Sequence, residues 1–287
     1  MTAGAFVRRD AVFRGWPEGG PERYHLYAAL ACPWSHRTVI VRHLKGLEGA
    51  LGISYAHPYR DERGWRLLDD PVNGFEFLAA AYEATEPGYD NRISVPVLWD
   101  KEQGRIVSNE SADIVRMLDD WGSGPDLYPE ALRAEIEDLN TWIYRDFQNS
   151  VYRAGFSRSQ EAYDDAFASV FAAMERLESL LGERRYLAGD RMTEADWRLF
   201  TTLARFDAIY YVHFRCNGRL IADHPNLWGY ARDLYQRPGF GDTTDFVQIK
   251  RHYYQTQDWI NPARIVPKGP YVNWLSPHDR DRFPDTT

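Results

Sequence analysis

Cys32 stands where a short apolar run rich in strand formers, YHLYAAL, gives way to Pro33-Trp34 and a helical pattern. A cysteine between a strand and a helix start has its sulfur near the helix N-terminus. Unpaired N–H groups and the positive end of the dipole favour the thiolate there. That setting suits a redox or thiol-handling cysteine; the alternative is a buried thiol at a strand end. Cys216, in HFRCNGR, has no such setting and reads as structural. Val95-Pro96 opens another strand, where a proline marks either an edge strand or a cis peptide. A cis-proline would leave the preceding backbone N–H and C=O open to a peptide-like ligand. Glu110-Ser111 follows a further strand at a helix start. Helix N-terminal N–H groups and the Ser111 hydroxyl suit a carboxylate, and Glu110 suits an ammonium, so together they fit the amino-acid end of a zwitterion. The alternative is a plain helix cap with a favourably placed acid.

The elements around these residues follow from patterning. PWSHRTVIVRHLKG predicts a helix: Pro33 fits the first turn, basic residues cluster late and Gly46 ends it. GISYAHPY (52–59), SVPVLWD (94–100) and GRIVS (104–108) read as strands, the last two as a hairpin around KEQ. SNESADIVRMLDDW (108–121) is a helix opened by small polar caps. This order makes an α/β unit with a mixed sheet. GSGPDLYP (122–129) reads as a linker, and beyond it the pattern turns helical. Apolar residues at 132, 136, 139, 143, 147 and 151 form a 3.6-residue stripe, and 163–182, 192–206 and 226–236 repeat the signal. Thr193 and Asp196 form a variant capping box, with Met192 and Trp197 placed as a hydrophobic staple. Residues 240–287, with Pro262, Pro267, Pro270 and Pro277, read as irregular. The expected architecture is α/β plus all-α: an α/β domain over 1–123, then a helical domain over 124–287 that ends in an extended irregular tail.

Length agrees, since 287 residues suit two domains. Charged residues at 26% and hydrophobic ones at 44% describe a soluble globule rather than a disordered chain. A net charge of -8 gives no bulk electrostatic case for nucleic acid or an anionic membrane. No stretch approaches the ~18 apolar residues of a membrane span. Arg8, Arg9 and Asp10 fall where a secretory signal needs its apolar core, so a cytoplasmic protein is expected. Two distant cysteines make neither a disulfide framework nor a Cys-type zinc site, and no metal is expected. The 10 Trp, 18 Tyr and 14 Phe are mainly core filler, with a weak hint of a flat, ring-shaped ligand.

Cys32-Pro33-Trp34, Val95-Pro96 and Glu110-Ser111 together resemble the glutathione site of the glutathione transferase superfamily, which joins a thioredoxin-like domain to a helical one. The closer resemblance is to the glutathionyl-hydroquinone reductases, the Xi-class or omega-like transferases. It covers nearly the whole chain: RYHLYAALACPWSHRTVIVRHLKGLE, VPVLWDK, IVSNESADIVRML, YRAGF, QEAY, RYLAGDRMTEADWRLFTTLARFD, HFRCN, IKRHYY and the late NPARIVPKGP are similar to that family in its order. Two departures stand out. CPWS replaces CPWA, where Ser35 is expected to add only a hydroxyl with little effect, and the segment before FVRRD is short for the family.

The resemblance implies roles. Cys32 matches the nucleophile and Trp65, in ERGW, a tryptophan that packs against glutathione. Arg92, Ile93, Ser94 and Val95 match the segment that contacts the tripeptide, and Glu110-Ser111 its γ-glutamyl clamp. Tyr152 matches the acid/base tyrosine. Tyr210 or its neighbour Tyr211, and Tyr253 or its neighbour Tyr254, match tyrosines that lower the cysteine's pKa. The implied activity is glutathione-dependent reduction of glutathionyl-hydroquinones through a Cys32–glutathione mixed disulfide, with glutathione as co-substrate, no metal, and a homodimer as the assembly. The alternatives are an omega-like thiol transferase or dehydroascorbate reductase, and a non-catalytic binding protein of the same fold.

Overall fold

All five residues of β1 (Tyr24–Ala28) are buried, with no polar-out alternation, as a central strand covered on both faces requires. The computed structural model describes residues 3–287. In it β1 lies inside a four-stranded sheet of order β2-β1-β3-β4, with β2 at Gly52–Tyr55, β3 at Val97–Asp100 and β4 at Arg105–Ser108. β2 runs parallel to β1, while β3 and β4 pair antiparallel; Leu26 sits in register between Ile53 and Leu98. A parallel neighbour needs a crossover, supplied by α1 (Pro33–Leu44), which packs beside α3 (Ser111–Trp121). Tyr27, Val97 and Trp99 share one sheet face and pack with Trp65 and with Ala81 and Tyr82 of α2 (Ala79–Thr85).

The described residues form two compact units: residues 10–125 with Asp242–Val266, and residues 3–9 with Asp126–Gly241 and Pro267–Thr287. The second unit contains α4 (Arg133–Trp142), α5 (Ser150–Gly155), α6 (Gln160–Glu183), α7 (Glu194–Arg205) and α8 (Pro225–Tyr235). The stripe over 132–151 is not one α-helix. A π-helical turn at Ile143–Gln148 separates α4 from α5, and a second one at Phe206–Tyr210 follows α7. Periodicity did not reveal these turns because the wider turn still buries Ile143, Phe147 and Val151. The capping box on α7 forms: the Thr193 N–H donates to the Asp196 carboxylate at 2.7 Å. Met192 and Trp197 beside it are both buried.

Two expectations need correction. α2 lies between the stretches 52–59 and 94–100, where the sequence reading assigns no element. Within the stretch read as irregular from residue 240, α9 (Phe246–Thr256) is helical. Its start is marked by the Asp245 carboxylate, which accepts from the Val247 and Gln248 N–H groups at 2.9 Å each. Ile249 and Tyr253, four apart, are buried. The tail's prolines, from Pro262 onward, all lie beyond it and drew attention away from a proline-free helix. Among the described residues no helix is long and apolar enough to cross a membrane.

The tail also has a structural task. Arg280 is fully buried and donates to the Leu181 carbonyl at 2.7 Å, to that of Arg185 at 3.0 Å, and to that of Arg184. It thereby satisfies carbonyls at the α6 C-terminus that no intrahelical donor reaches. Arg280→Ala is expected to lower unfolding free energy by about 2–3 kcal/mol in urea titrations, because several acceptors lose a charged donor at once.

Burial pushes the Asp207 carboxyl up to about 6, against hydrogen bonds from the Ile221 and Ala222 N–H groups that favour the carboxylate. Its unfolded value is about 3.9. A raised folded pKa means the native state binds the proton more tightly. This contribution to stability is therefore complete below about pH 4 and is lost as pH rises through about 6. Asp207→Asn is expected to remove that component. Denaturation midpoints measured at closely spaced pH between 4 and 6.5 will then fall less steeply in the variant than in the natural chain.

Candidate active site

The α1 helix begins at Cys32, whose extended backbone (φ -84°, ψ 124°) makes it the N-cap, with Pro33 in the first helical position. Its side chain makes no capping hydrogen bond; instead Sγ lies 3.8 Å from the Val95 carbonyl oxygen. The Val95–Pro96 peptide is cis. The turn that carries Cys32 is fastened by Ser35, which is fully buried and whose Oγ accepts from the Ala29 N–H at 2.8 Å. That hydroxyl therefore does more than the sequence suggests, since without it the buried Ala29 N–H would lose its partner.

The segment leading to the cis peptide is held by residues that sequence reasoning missed. The Tyr82 hydroxyl donates to the Ser94 carbonyl at 2.8 Å and accepts from the Ser94 N–H at 3.1 Å. Asn109 Nδ2 donates to the same hydroxyl at 3.1 Å, while its Oδ1 accepts from the Phe13 N–H. Tyr89 donates to the Arg92 carbonyl at 3.3 Å, and Ile93 packs at the margin of the apolar cluster. Asn109 lies inside IVSNES, and its place in that motif was the available signal; Tyr82 had none.

Glu110 is the N-cap of α3. Its Oε1 accepts from the Ala112 N–H at 2.9 Å and from the Ser111 hydroxyl at 3.4 Å. The plain-cap reading of this pair is thus realised, and it leaves Oε2 for a cation. Trp65 is buried, with the His252 imidazole stacked on it at 5.0 Å between centroids and 18° between planes. The Arg60 guanidinium stands 5.5 Å from the Trp65 ring centre. Burial and the like charge of Arg92 hold Arg60 below its ordinary pKa, and the Cys32 sulfur acts in the opposite direction. Arg60, Arg92 and Cys32 therefore share one electrostatic environment. Tyr253 is buried with its ring edge-on to His252 at 5.3 Å, and burial pushes its neighbour Tyr254 up to about 12.

The sheet-bearing unit thus holds Cys32, Trp65, residues 92–95, Glu110, Ser111 and Tyr253. The helical unit holds the other two tyrosines. Their hydroxyls are 3.4 Å apart, and Tyr210, at the end of the second π-helical turn, stacks on Phe214 at 5.3 Å. The Arg8 guanidinium lies 4.6 Å from the Tyr152 ring centre. Tyr210 rather than the less buried Tyr211 is the one that reaches Tyr152. Cys216 is buried, which pushes its thiol up to about 12, whereas Cys32 is only partly buried.

A cysteine capping the first helix of a thioredoxin-like sheet, with a cis-proline peptide against its sulfur and a helical unit following, defines a class, and comparison with known proteins agrees. Residues 31–121 match the model of the glutathione S-transferase N-terminal domain and residues 160–233 that of its C-terminal domain. The chain is 46% identical to the glutathionyl-hydroquinone reductase YqjG of Escherichia coli, across 98% of this chain and 93% of that protein. It is 45% identical to the glutathionyl-hydroquinone reductase PcpF of Sphingobium chlorophenolicum, across 94% and 91%. The glutathione-bound structure of YqjG superposes with a TM-score of 0.91, covering 94% of this chain and 97% of that one at 46% identity. A Xi-class transferase from Natrialba magadii gives 0.93, covering 98% and 94% at 43% identity. The chain belongs to the glutathione S-transferase family, among its Xi-class glutathionyl-hydroquinone reductases.

Proposed function

We propose that this enzyme reduces glutathionyl-hydroquinones with a second glutathione, and that Cys32 is its nucleophile. The observation that carries the reading is the half-buried Cys32 sulfur at the start of α1, lying against the carbonyl of the cis Val95–Pro96 peptide. The thioether to be cut joins sulfur to a ring carbon, a poor leaving group. A hydroquinone eases this because a proton added at that ring carbon converts the ring to its keto tautomer and weakens the C–S bond. Tyr152 is the proton donor in this scheme, with the Tyr210 hydroxyl beside its own.

The Cys32 thiolate then attacks the glutathione sulfur. An S–S bond forms, the C–S bond breaks, and its electron pair returns to the ring, which leaves as hydroquinone. A second glutathione thiolate attacks the mixed disulfide, expels the Cys32 thiolate and departs as glutathione disulfide. The ring is reduced and two glutathione sulfurs are oxidised, so no further reductant is needed. No second cysteine is needed either, because the resolving thiol comes from glutathione. In this scheme Trp65 and the 92–95 segment hold the tripeptide, Glu110 and Ser111 its γ-glutamyl end, and Tyr210 and Tyr253 favour the thiolate.

We also propose that the enzyme works as a cytoplasmic homodimer, on the strength of the family resemblance. The deciding experiment follows hydroquinone and glutathione disulfide together during turnover of a glutathionyl-hydroquinone. Equal release of both supports the reading. A Cys32–glutathione adduct by mass spectrometry without hydroquinone release refutes the substrate and favours thiol transfer, the reading suggested by a 41% identical omega-like transferase of Schizosaccharomyces pombe.

A further inference from the structure

Residues 57–65 join β2 to the region before α2 and carry both Arg60 and Trp65, yet they belong to no strand and make only isolated bridges. Such a segment is expected to open locally at low cost unless something else holds it. What holds it comes from far along the chain. His252 Nδ1 lies 2.8 Å from the Pro58 carbonyl oxygen, so Nδ1 carries the proton and donates it. The same imidazole covers Trp65. One helical turn later, Thr256 Oγ1 accepts from the Arg60 N–H at 3.1 Å. Arg264 donates to the Tyr59 hydroxyl at 3.1 Å while pairing with Asp258 at 2.7 Å. Three consecutive residues, Pro58, Tyr59 and Arg60, are thus each fastened by the Asp242–Val266 segment.

We propose that Asp242–Val266 is a strap that presets the Trp65–Arg60 face for glutathione, with His252 as its positioning residue. The inference rests on the reading that Trp65 packs against the tripeptide. The strap acts through preorganisation: a loop already in its bound shape does not have to be ordered by the ligand. His252 acts here through Pro58 and Trp65, so its loss should weaken glutathione binding without slowing the chemistry once glutathione saturates.

The test is calorimetric titration of the full-length protein with glutathione, paired with steady-state kinetics. His252→Ala is expected to raise Kd and the KM for glutathione together by about 3–20-fold, with kcat at saturating glutathione within about twofold. His252→Phe keeps a stacked ring and His252→Asn keeps a donor for Pro58, so each should recover part of the loss. Thr256→Val should raise Kd to a smaller extent, and Val247→Ser, at an exposed position on α9, should leave it unchanged.

Trp65→Ala is the reference. Unchanged affinity in that variant refutes the Trp65 contact itself. Weakened binding there, with unchanged binding in folded His252→Ala, refutes only the strap. A fall in kcat with unchanged Kd also overturns the strap. Should His252→Ala fail to fold, the Phe and Asn variants decide by the same criterion, and wild-type affinity in both refutes the proposal. Glutathione binding without hydroquinone release by the natural chain counts against the substrate alone, because Kd is read without any hydroquinone.

Discussion

Cys32→Ala should lose glutathionyl-hydroquinone turnover by ~10³-fold or more, since the step that removes sulfur from the ring has no other nucleophile to use. Both products should vanish together, and no protein–glutathione adduct should be visible by mass spectrometry. The size of the effect follows from the site. Cys32 caps the N-terminus of α1, where the helix dipole favours negative charge, and is electrostatically coupled to Arg60. Cys216 offers no substitute, because burial pushes its thiol up to about 12. Cys216→Ala should therefore turn over at close to the natural rate and serves as the paired control. Full activity in Cys32→Ala would remove the mixed disulfide from the mechanism altogether.

Tyr152→Phe should reduce hydroquinone release by roughly 10²–10⁴-fold, the usual contribution of a positioned general acid. The ring of the phenylalanine preserves the edge-on contacts with Phe156 and Phe214 at 5.8 and 5.3 Å, so packing should survive and the hydroxyl alone is tested. The discriminating control is reduction of a simple alkyl–glutathione mixed disulfide. That reaction needs Cys32 but no proton on a ring carbon, and it should proceed in Tyr152→Phe at close to the natural rate. An equal loss on both substrates would make Tyr152 part of the thiol exchange or of the fold, and would sink its assignment as the ring's proton donor. Tyr210→Phe should have a smaller effect on hydroquinone release, because it removes a neighbour of the Tyr152 hydroxyl and not the donor itself.

Much of this enzyme is written locally. A strand pattern that runs into Cys32-Pro33 placed a cysteine at a helix start because proline is tolerated in the first turn and strand formers precede it. Thr193 and Asp196 announced the start of α7 for the same kind of reason: a three-residue spacing fixes which backbone donors a side chain can reach. The order of an α/β unit before a helical one also followed from periodicity. Two local signals were present and passed unread, the Asp245 cap that opens α9 and the apolar spacing behind it.

Other features were settled only by packing. That Tyr82 and Asn109 fasten Ser94, or that His252 meets Pro58 across 194 positions, is determined by which surfaces bury one another in three dimensions. A hydrogen bond across such a distance leaves no period in the sequence, because either partner alone is an ordinary polar residue on an ordinary element. The π-helical turn that ends at Tyr210 belongs to the same group: its wider turn alters the helix register while burying the same residue types. The sequence by itself thus determined where Cys32 sits and which elements surround it, since those depend on neighbours within a few residues. Only the tertiary structure decided what holds the 57–65 segment in place, since that depends on the long-range burial of Trp65 against α9, near the far end of the chain.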